Sequence, residues 1–305
     1  MQKLKKFLTL ISLLIMVCLL SYGNEKISFR LSYNVNSLNM GDLNNWIESY
    51  NESWEDYATL NGGNLQGEFQ PLDYKNNFEF SLRIPIYQGF AFNGGGGQSS
   101  AMEEGDITFQ SLEGNQQESV YLNNQTQALM IKLGFSYNFQ LPFYPKLYVV
   151  TQLGRYIVFN KYTVIENKES FFSSFGKDFI YINEKETTYR SEALGMYASI
   201  GLEFELIQYI SLVLEGEKLW ASADGYKGSF SQTLLENIDG NITQQKESGK
   251  ETLYFYETTR ANLTGYYSVL SGHEIRPDDP DIRDLRQGKF DFGGLSIKLG
   301  IRFKF

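Results

Sequence analysis

Apolar and polar residues alternate strictly over several stretches of the chain, and a period of two predicts β-strands with one apolar and one polar face. The sharpest case is the run LSIKLGIRFKF, where Leu295, Ile297, Leu299, Ile301, Phe303 and Phe305 alternate with Ser296, Lys298, Gly300, Arg302 and Lys304. Comparable alternation marks residues 27–35, 78–92, 127–140, 146–160, 188–206 and 210–222. The last strand is counted from 289 to 305, and a weaker segment at 65–70 completes the set. The expected fold is all-β: a single eight-stranded antiparallel transmembrane β-barrel. An even strand number suits a chain crossing lipid as a closed sheet, because lipid tolerates no open strand edge.

The intervening segments fall into two kinds. PLDYKN (71–76), LPFYPK (141–146) and residues 207–209 are short, whereas 36–64, 93–126, 161–187 and 223–288 are long. This predicts short turns at the inner rim and long extracellular loops at the outer one. In the first long segment, GDLNNWIESYNESWEDYATL (41–60) sets Leu43, Trp46, Ile47, Tyr50, Trp54 and Tyr57 at helical spacing, with Asp42 as the cap. A short amphipathic loop helix is expected, its aromatic stripe packing over the mouth, lining a ligand entry or resting at the membrane interface. The stretch ETLYFYETTRANLTGYYSVL (251–270) predicts a further hairpin above the membrane. NGGGG (93–97) reads as a flexible turn and lacks the Gly-Lys-Ser/Thr of a phosphate loop.

If the apolar rows face lipid, the opposite rows send Arg30, Glu79, Arg83, Lys132, Glu203, Glu205, Glu215, Glu217, Lys298 and Arg302 into the lumen. Acids and bases are equal in number. GLEFEL (201–206) and LVLEGEK (212–218) flank one short turn, which brings their four glutamates together. A lone buried charge is costly, so mutual neutralisation is expected. An eight-stranded wall encloses room for its own side chains or for one small ligand. The first reading is therefore a largely plugged polar lumen. A narrow hydrated path, a small binding cavity, or a proton or cation site at the glutamates are the alternatives.

At the other end, MQKLKKFLTLISLLIMVCLLSYG begins with Lys3, Lys5 and Lys6, runs apolar from Phe7 to Leu20, and reaches the small residues Ser21 and Gly23. That order predicts a signal peptide over 1–23 and a mature domain over 24–305. The one cysteine, Cys18, lies within the leader, so the mature domain has no thiol for a disulfide or metal site. Loss of the leader also removes three lysines and no acid, moving the net charge from -9 to -12. An acid surplus disfavours nucleic acid as a partner and suits acidic loops facing water or a divalent cation. The one histidine, His273, lies near Asp278, Asp279, Asp281 and Asp284. Their spacing does not match a calcium loop, and no nucleophile elbow accompanies them, so a solvated acidic loop is expected. No catalytic constellation and no cofactor motif stands out.

Taken together, the leader, the eight alternating strands, the short inner turns and the aromatic close at Phe303 and Phe305 resemble the small bacterial outer-membrane β-barrel proteins of the eight-stranded, outer-membrane-protein-A-like type. The resemblance is one of pattern across nearly all of the mature chain. It implies Sec-type export to the outer membrane and contact with outer-membrane lipid and lipopolysaccharide. It also implies recognition of Phe303 and Phe305 by the barrel-assembly machinery. Members of the group serve as anchors, adhesins, small-molecule channels or lipid enzymes. The expected function is a structural or surface-interaction role with extracellular ligands or a divalent cation as partners. Passive porin-like transport or binding of small molecules comes second, and lipid modification third.

Overall fold

The computed structural model describes residues 26–38, 40–73, 77–173, 179–259, 263 and 265–305. The expected leader lies outside them. In chain order the elements are β1 (Ser28–Leu38), α1 (Asp42–Asn61), β2 (Gly63–Gln66), β3 (Asn77–Tyr87) and β4 (Phe90–Ser111). Next come β5 (Gln116–Leu141), β6 (Tyr144–Ser173), β7 (Phe179–Ile207), β8 (Ile210–Trp220) and β9 (Ser222–Ala223). The remainder are β10 (Lys227–Ile238), β11 (Asn241–Thr259), β12 (Tyr266–His273), β13 (Arg283–Gln287), β14 (Phe290–Asp291) and β15 (Gly294–Lys304). Among the described residues no helix is long and apolar enough to cross a membrane, which says nothing of crossing by strands.

A single eight-stranded barrel does not describe this molecule. Among the described residues thirteen strands form one continuous antiparallel sheet, and β9 pairs with β14 in a small separate one. Within the large sheet, β7, β6, β5, β4, β3, β1, β15 and β8 pair in that order, and pairing of β8 with β7 closes the circuit. The other five strands, β2, β10, β11, β12 and β13, stand off this ring. The register is staggered around it. Starting at Phe204, the partners run through Leu212, Ile301, Leu31, Phe80, Gly96, Ile131 and Ile157 and return to β7 at Leu194, ten residues up the same strand.

Strand length is what the sequence reading missed. β4, β5, β6 and β7 have 22, 26, 30 and 29 residues, against roughly 9–11 for a strand crossing lipid. Their surplus continues past the ring as a sheet, here termed the crown, to which β2, β10 and β11 add. The segments expected to be loops at 93–126 and 161–187 are thus largely strand. The hairpin expected at 251–270 is present as β11 and β12, paired from Thr252↔His273 to Thr259↔Tyr266.

Two differences from the expected strands offset each other in the number of ring strands. Residues 65–70 supply no ring strand; β2 pairs with the crown part of β4. Residues 78–92 hold two ring strands joined at Gln88 and Gly89, where Gly89 adopts φ 83°, a conformation that favours glycine. The short-turn rim is therefore formed at 88–89, 142–143 and 208–209. Residues 71–73 lie instead in the crown, where Leu72 is fully buried and its N–H donates to Asn44 Oδ1 at 2.8 Å. NGGGG is no turn either. It lies within β4, and at Gly95 a Cβ would come within 2.4 Å of the Phe80 carbonyl oxygen, so only glycine permits this approach to β3.

Helix α1 forms where its periodicity predicts. Leu43, Ile47, Trp54 and Ala58 are buried on one face, the i, i+4, i+11 and i+15 positions of a helical stripe. Gly41 rather than Asp42 occupies the cap position, and Gly62 ends the helix in the left-handed conformation with its N–H on the Ala58 carbonyl. Asp42 instead accepts both guanidinium nitrogens of Arg286 and the Lys289 N–H at 2.8 Å. The helix packs on one apolar core that runs down into the ring through Phe109, Leu122, Tyr162, Tyr156 and Phe292.

Candidate functional site

Alternation places each side chain of the ring either outward or inward. On β15, Leu295, Ile297 and Leu299 are each more than 60% exposed, while the intervening Ser296 and Lys298 are at most 3% exposed. The same outward apolar row appears as Leu31, Tyr33 and Val35 on β1, Phe78 and Phe80 on β3, and Leu129, Phe135 and Phe139 on β5. It continues as Leu194, Ile200, Leu202 and Phe204 on β7 and as Leu212 and Leu214 on β8. Phe303 and Phe305 end the β15 row, exposed, with the Phe305 N–H on the Ile27 carbonyl oxygen at 2.9 Å.

The inward rows carry the charges. Of the ten residues singled out from the sequence, Arg30, Glu79, Arg83, Lys132, Glu203, Glu215, Glu217, Lys298 and Arg302 are buried. Glu205 is about one-quarter exposed at the short-turn rim. They form two groups. In the middle of the ring, Lys298 Nζ lies 3.0 Å from Glu79, 2.8 Å from Glu217 and 3.8 Å from Glu215. Lys132 Nζ bridges Glu79 at 2.7 Å and Glu217 at 2.6 Å. Arg30 donates to Glu215 at 2.5 Å and faces Glu79 at 3.8 Å. Three cations thus meet three carboxylates, and each carboxylate touches at least two cations. That multiplicity offsets a desolvation cost that a single pair inside a protein often fails to recover.

Register explains the meeting. Lys298 stands directly across from Glu215, and Ser296 across from Glu217, on the paired β15 and β8. Gln152, Tyr197 and Asn34 complete the group, though no charge marks them in the sequence. Gln152 donates to Glu215 at 2.6 Å, Asn34 reaches Glu79 at 3.5 Å, and the Tyr197 ring faces Lys132 with its centroid 5.7 Å from Nζ. Their one sequence signal is that they occupy inward positions of strands whose outward positions are apolar. The space left among Arg30, Glu79, Lys132, Gln152, Tyr197 and Glu217 is about 10 Å³, roughly the room of one water molecule.

The second group lies toward the short-turn rim. Arg302 pairs with Glu203, and Lys304 bridges Glu203 at 3.1 Å and Glu205 at 3.0 Å. Arg83 donates to the Gly89 carbonyl at 3.1 Å and to Ser136 Oγ at 3.4 Å. At this rim opens a vestibule of about 380 Å³ that Lys26, Tyr148 and Gln208 also line. Lys304 belongs to the network and stands outside the ten residues chosen from the sequence.

The crown has a smaller polar site. Glu251, buried, accepts from Tyr189 Oη and from Lys185 Nζ at 2.8 Å. Burial and this carboxylate push the Tyr189 phenol well above its ordinary range. His273 sits at the end of β12, its Nε2 3.3 Å from Tyr256 Oη. Burial and the nearby Lys185 hold its imidazole below the usual value, with Glu251 opposing them. Among the described residues no group of three or more His, Cys, Asp or Glu side chains is arranged to hold a metal ion.

No protein-family model matches the chain, and no curated protein matches it. Among solved structures it is similar to the outer membrane protein OprG from Pseudomonas aeruginosa, with 8% identity and a TM-score of 0.37 over 93% of this chain and 98% of that one. It is also similar to the outer membrane protease OmpT from Escherichia coli, with 10% identity and a TM-score of 0.28 over 92% and 94%. Superpositions this loose transfer neither residue roles nor activity.

Proposed function

We propose that this chain is an outer-membrane protein whose ring crosses the lipid, whose crown stands outside as an interaction surface, and whose lumen is closed. The observation that carries this reading is the inversion of polarity in the ring: apolar side chains outward and ion pairs inward. A water-soluble protein arranged this way would expose a contiguous apolar belt far beyond the patches that monomers tolerate. Lipid removes that cost, and the closed circuit of strand pairing meets its demand for a sheet with no open edge. On this reading the rim with turns at 88–89, 142–143 and 208–209 is periplasmic, Phe303 and Phe305 close the lipid-facing row as an assembly signal, and lipids and the insertion machinery are the general partners. Conduction is opposed by the neutral ion-pair group in mid-ring and by the apolar core stacked on it.

Single cysteines test the placement. Leu299→Cys and Ser248→Cys, on β15 and on the exposed part of β11, are labelled in cells and in vesicles. The expected result is a Leu299→Cys label quenched by a lipid-dissolved quencher, and a Ser248→Cys thiol modified on intact cells by a membrane-impermeant maleimide. Aqueous accessibility at both positions contradicts the reading.

A further inference from the structure

Above the lipid-facing belt, the outer wall carries a row of cations that the lumen does not use. Lys161 on β6 stands directly across from Arg190 on β7, and Arg190 directly across from Lys227 on β10. All three are exposed. They share the outward face with Phe159 and Leu194, the last apolar residues of the belt on β6 and β7, which are 37% and 67% exposed. Like charges set directly opposite each other repel at Cβ separations of about 5 Å. Among the described residues none of the three makes an ion pair or a side-chain hydrogen bond. The carboxylates flanking this row on the outward face of β7 are Glu192, across from Phe159, and Glu186, two positions above Thr188. A fourth cation, Lys250, follows one row higher across from Ser229.

The row is local. At the same level on β4 and β5 the outward residues are Ser100, Gln125 and Gln127, and Gln127 is the partner of Lys161 on the other side. Set against β4 and β5, the cations mark this sector, where an open groove of about 330 Å³ runs among Phe159, Lys161, Arg190 and Glu192. A ligand that fits has an anion against the guanidinium and ammonium groups and hydrocarbon running down along Phe159 and Leu194.

We infer that Lys161, Arg190 and Lys227 hold the phosphate of a phosphorylated lipid in the outward-facing leaflet. A planar guanidinium with two flanking ammonium groups suits a phosphate, and the groove is continuous with the surface that the acyl chains would cover. The inference rests on the membrane placement proposed above, and it names the lipid that this sector of the wall selects.

The test uses the full chain refolded into phosphatidylcholine vesicles containing either diphosphoryl lipid A or the same lipid with its phosphates removed. Lipid retained after detergent extraction is counted by native mass spectrometry, for the parent, for Lys161→Gln/Arg190→Gln/Lys227→Gln, and for the control Lys246→Gln. The expected result is about tenfold preferential retention of the diphosphoryl form by the parent and the control. The triple variant should lose that preference while keeping its heat-modifiable folded form. Equal retention of both lipids by the parent, or unchanged preference in the triple variant, overturns the inference. Displacement of the lipid by millimolar inorganic phosphate also overturns it, because the site would then recognise the free anion. Failure of the parent to insert at all defeats the membrane placement itself, an outcome distinct from insertion without selectivity.

Discussion

The two halves of β7 make opposite choices. Near the short-turn rim its outward residues are Leu202 and Phe204 and its inward ones Glu203 and Ser199, whereas in the crown it turns Arg190 and Glu186 outward and Tyr189 and Ala193 inward. β5 does the same, with Phe135 outward and Lys132 inward below, and Leu122 and Val120 buried inward above. Both faces change character along one continuous strand. On the proposed placement the medium outside the wall changes along it too, from apolar to aqueous, and the filling of the interior changes in the opposite sense. The lower half is held by ion pairs inside an outward apolar shell, the upper half by an ordinary hydrophobic core beneath α1.

Breaking the lower half should cost the most. Lys298→Met removes the ammonium that touches Glu79, Glu215 and Glu217. The carboxylates then outnumber the cations of that group, and the expected loss is roughly 3–5 kcal/mol. It is read from urea unfolding in lipid vesicles. Adding Glu217→Gln restores the charge balance and should recover a large share of that loss. If the single variant is as stable as the parent, ion pairing does not hold this half.

Breaking the upper half should leave the lower one standing. Leu43→Ala empties a fully buried position of α1, at an expected cost of about 2–3 kcal/mol. Limited proteolysis should cut α1 and its flanks while the ring strands stay protected. Concerted loss of both halves would show that they fold as one unit.

A smaller effect is expected at the link between α1 and β13. Asp42→Asn removes the charge that pairs with Arg286, a residue close to half exposed, and should cost about 1 kcal/mol. Hydrogen exchange at the start of α1 is the readout, and unchanged protection there contradicts the role given to the pair.

The smallest expected effect is a pH dependence in the crown. His273 has a folded-state value below the roughly 6.5 of the unfolded chain, so the unfolded state takes up a proton first as pH falls. Stability of the β11–β12 hairpin is then full above pH 6.5 and declines as pH drops through the folded value. His273→Gln should flatten this dependence in hydrogen exchange. A parent hairpin equally protected at pH 7.5 and pH 5 shows that the imidazole is not coupled to its packing.

The same comparison explains what was legible in the sequence. The lower half follows one rule, apolar outward and charged inward, and alternation alone assigned an inward phase to Lys298, Glu215 and Arg302. In the crown the outward face is polar and the inward face mixed, as at Glu103, Gly105 and Ile107 on β4, and such stretches read as loops. Residues 78–92 read as one long strand because Phe78 and Phe92 both end apolar rows, and Gln88-Gly89 is a two-residue turn with little sequence signature besides its glycine. Gln152 and Tyr197 carry no charge to draw notice. The helix stood out because Leu43, Trp46, Ile47, Tyr50, Trp54 and Tyr57 repeat at a period that no neighbouring strand shares.

Planar-bilayer recording of the refolded parent chain tests the closed lumen most directly. With Lys298, Lys132 and Arg30 neutralised by Glu79, Glu215 and Glu217 in mid-ring, and Tyr156 and Phe292 fully buried in the core above them, inserted protein should show no steady conducting level. A stable ohmic step that scales with the number of inserted molecules would contradict the closed lumen and make solute passage the function to pursue.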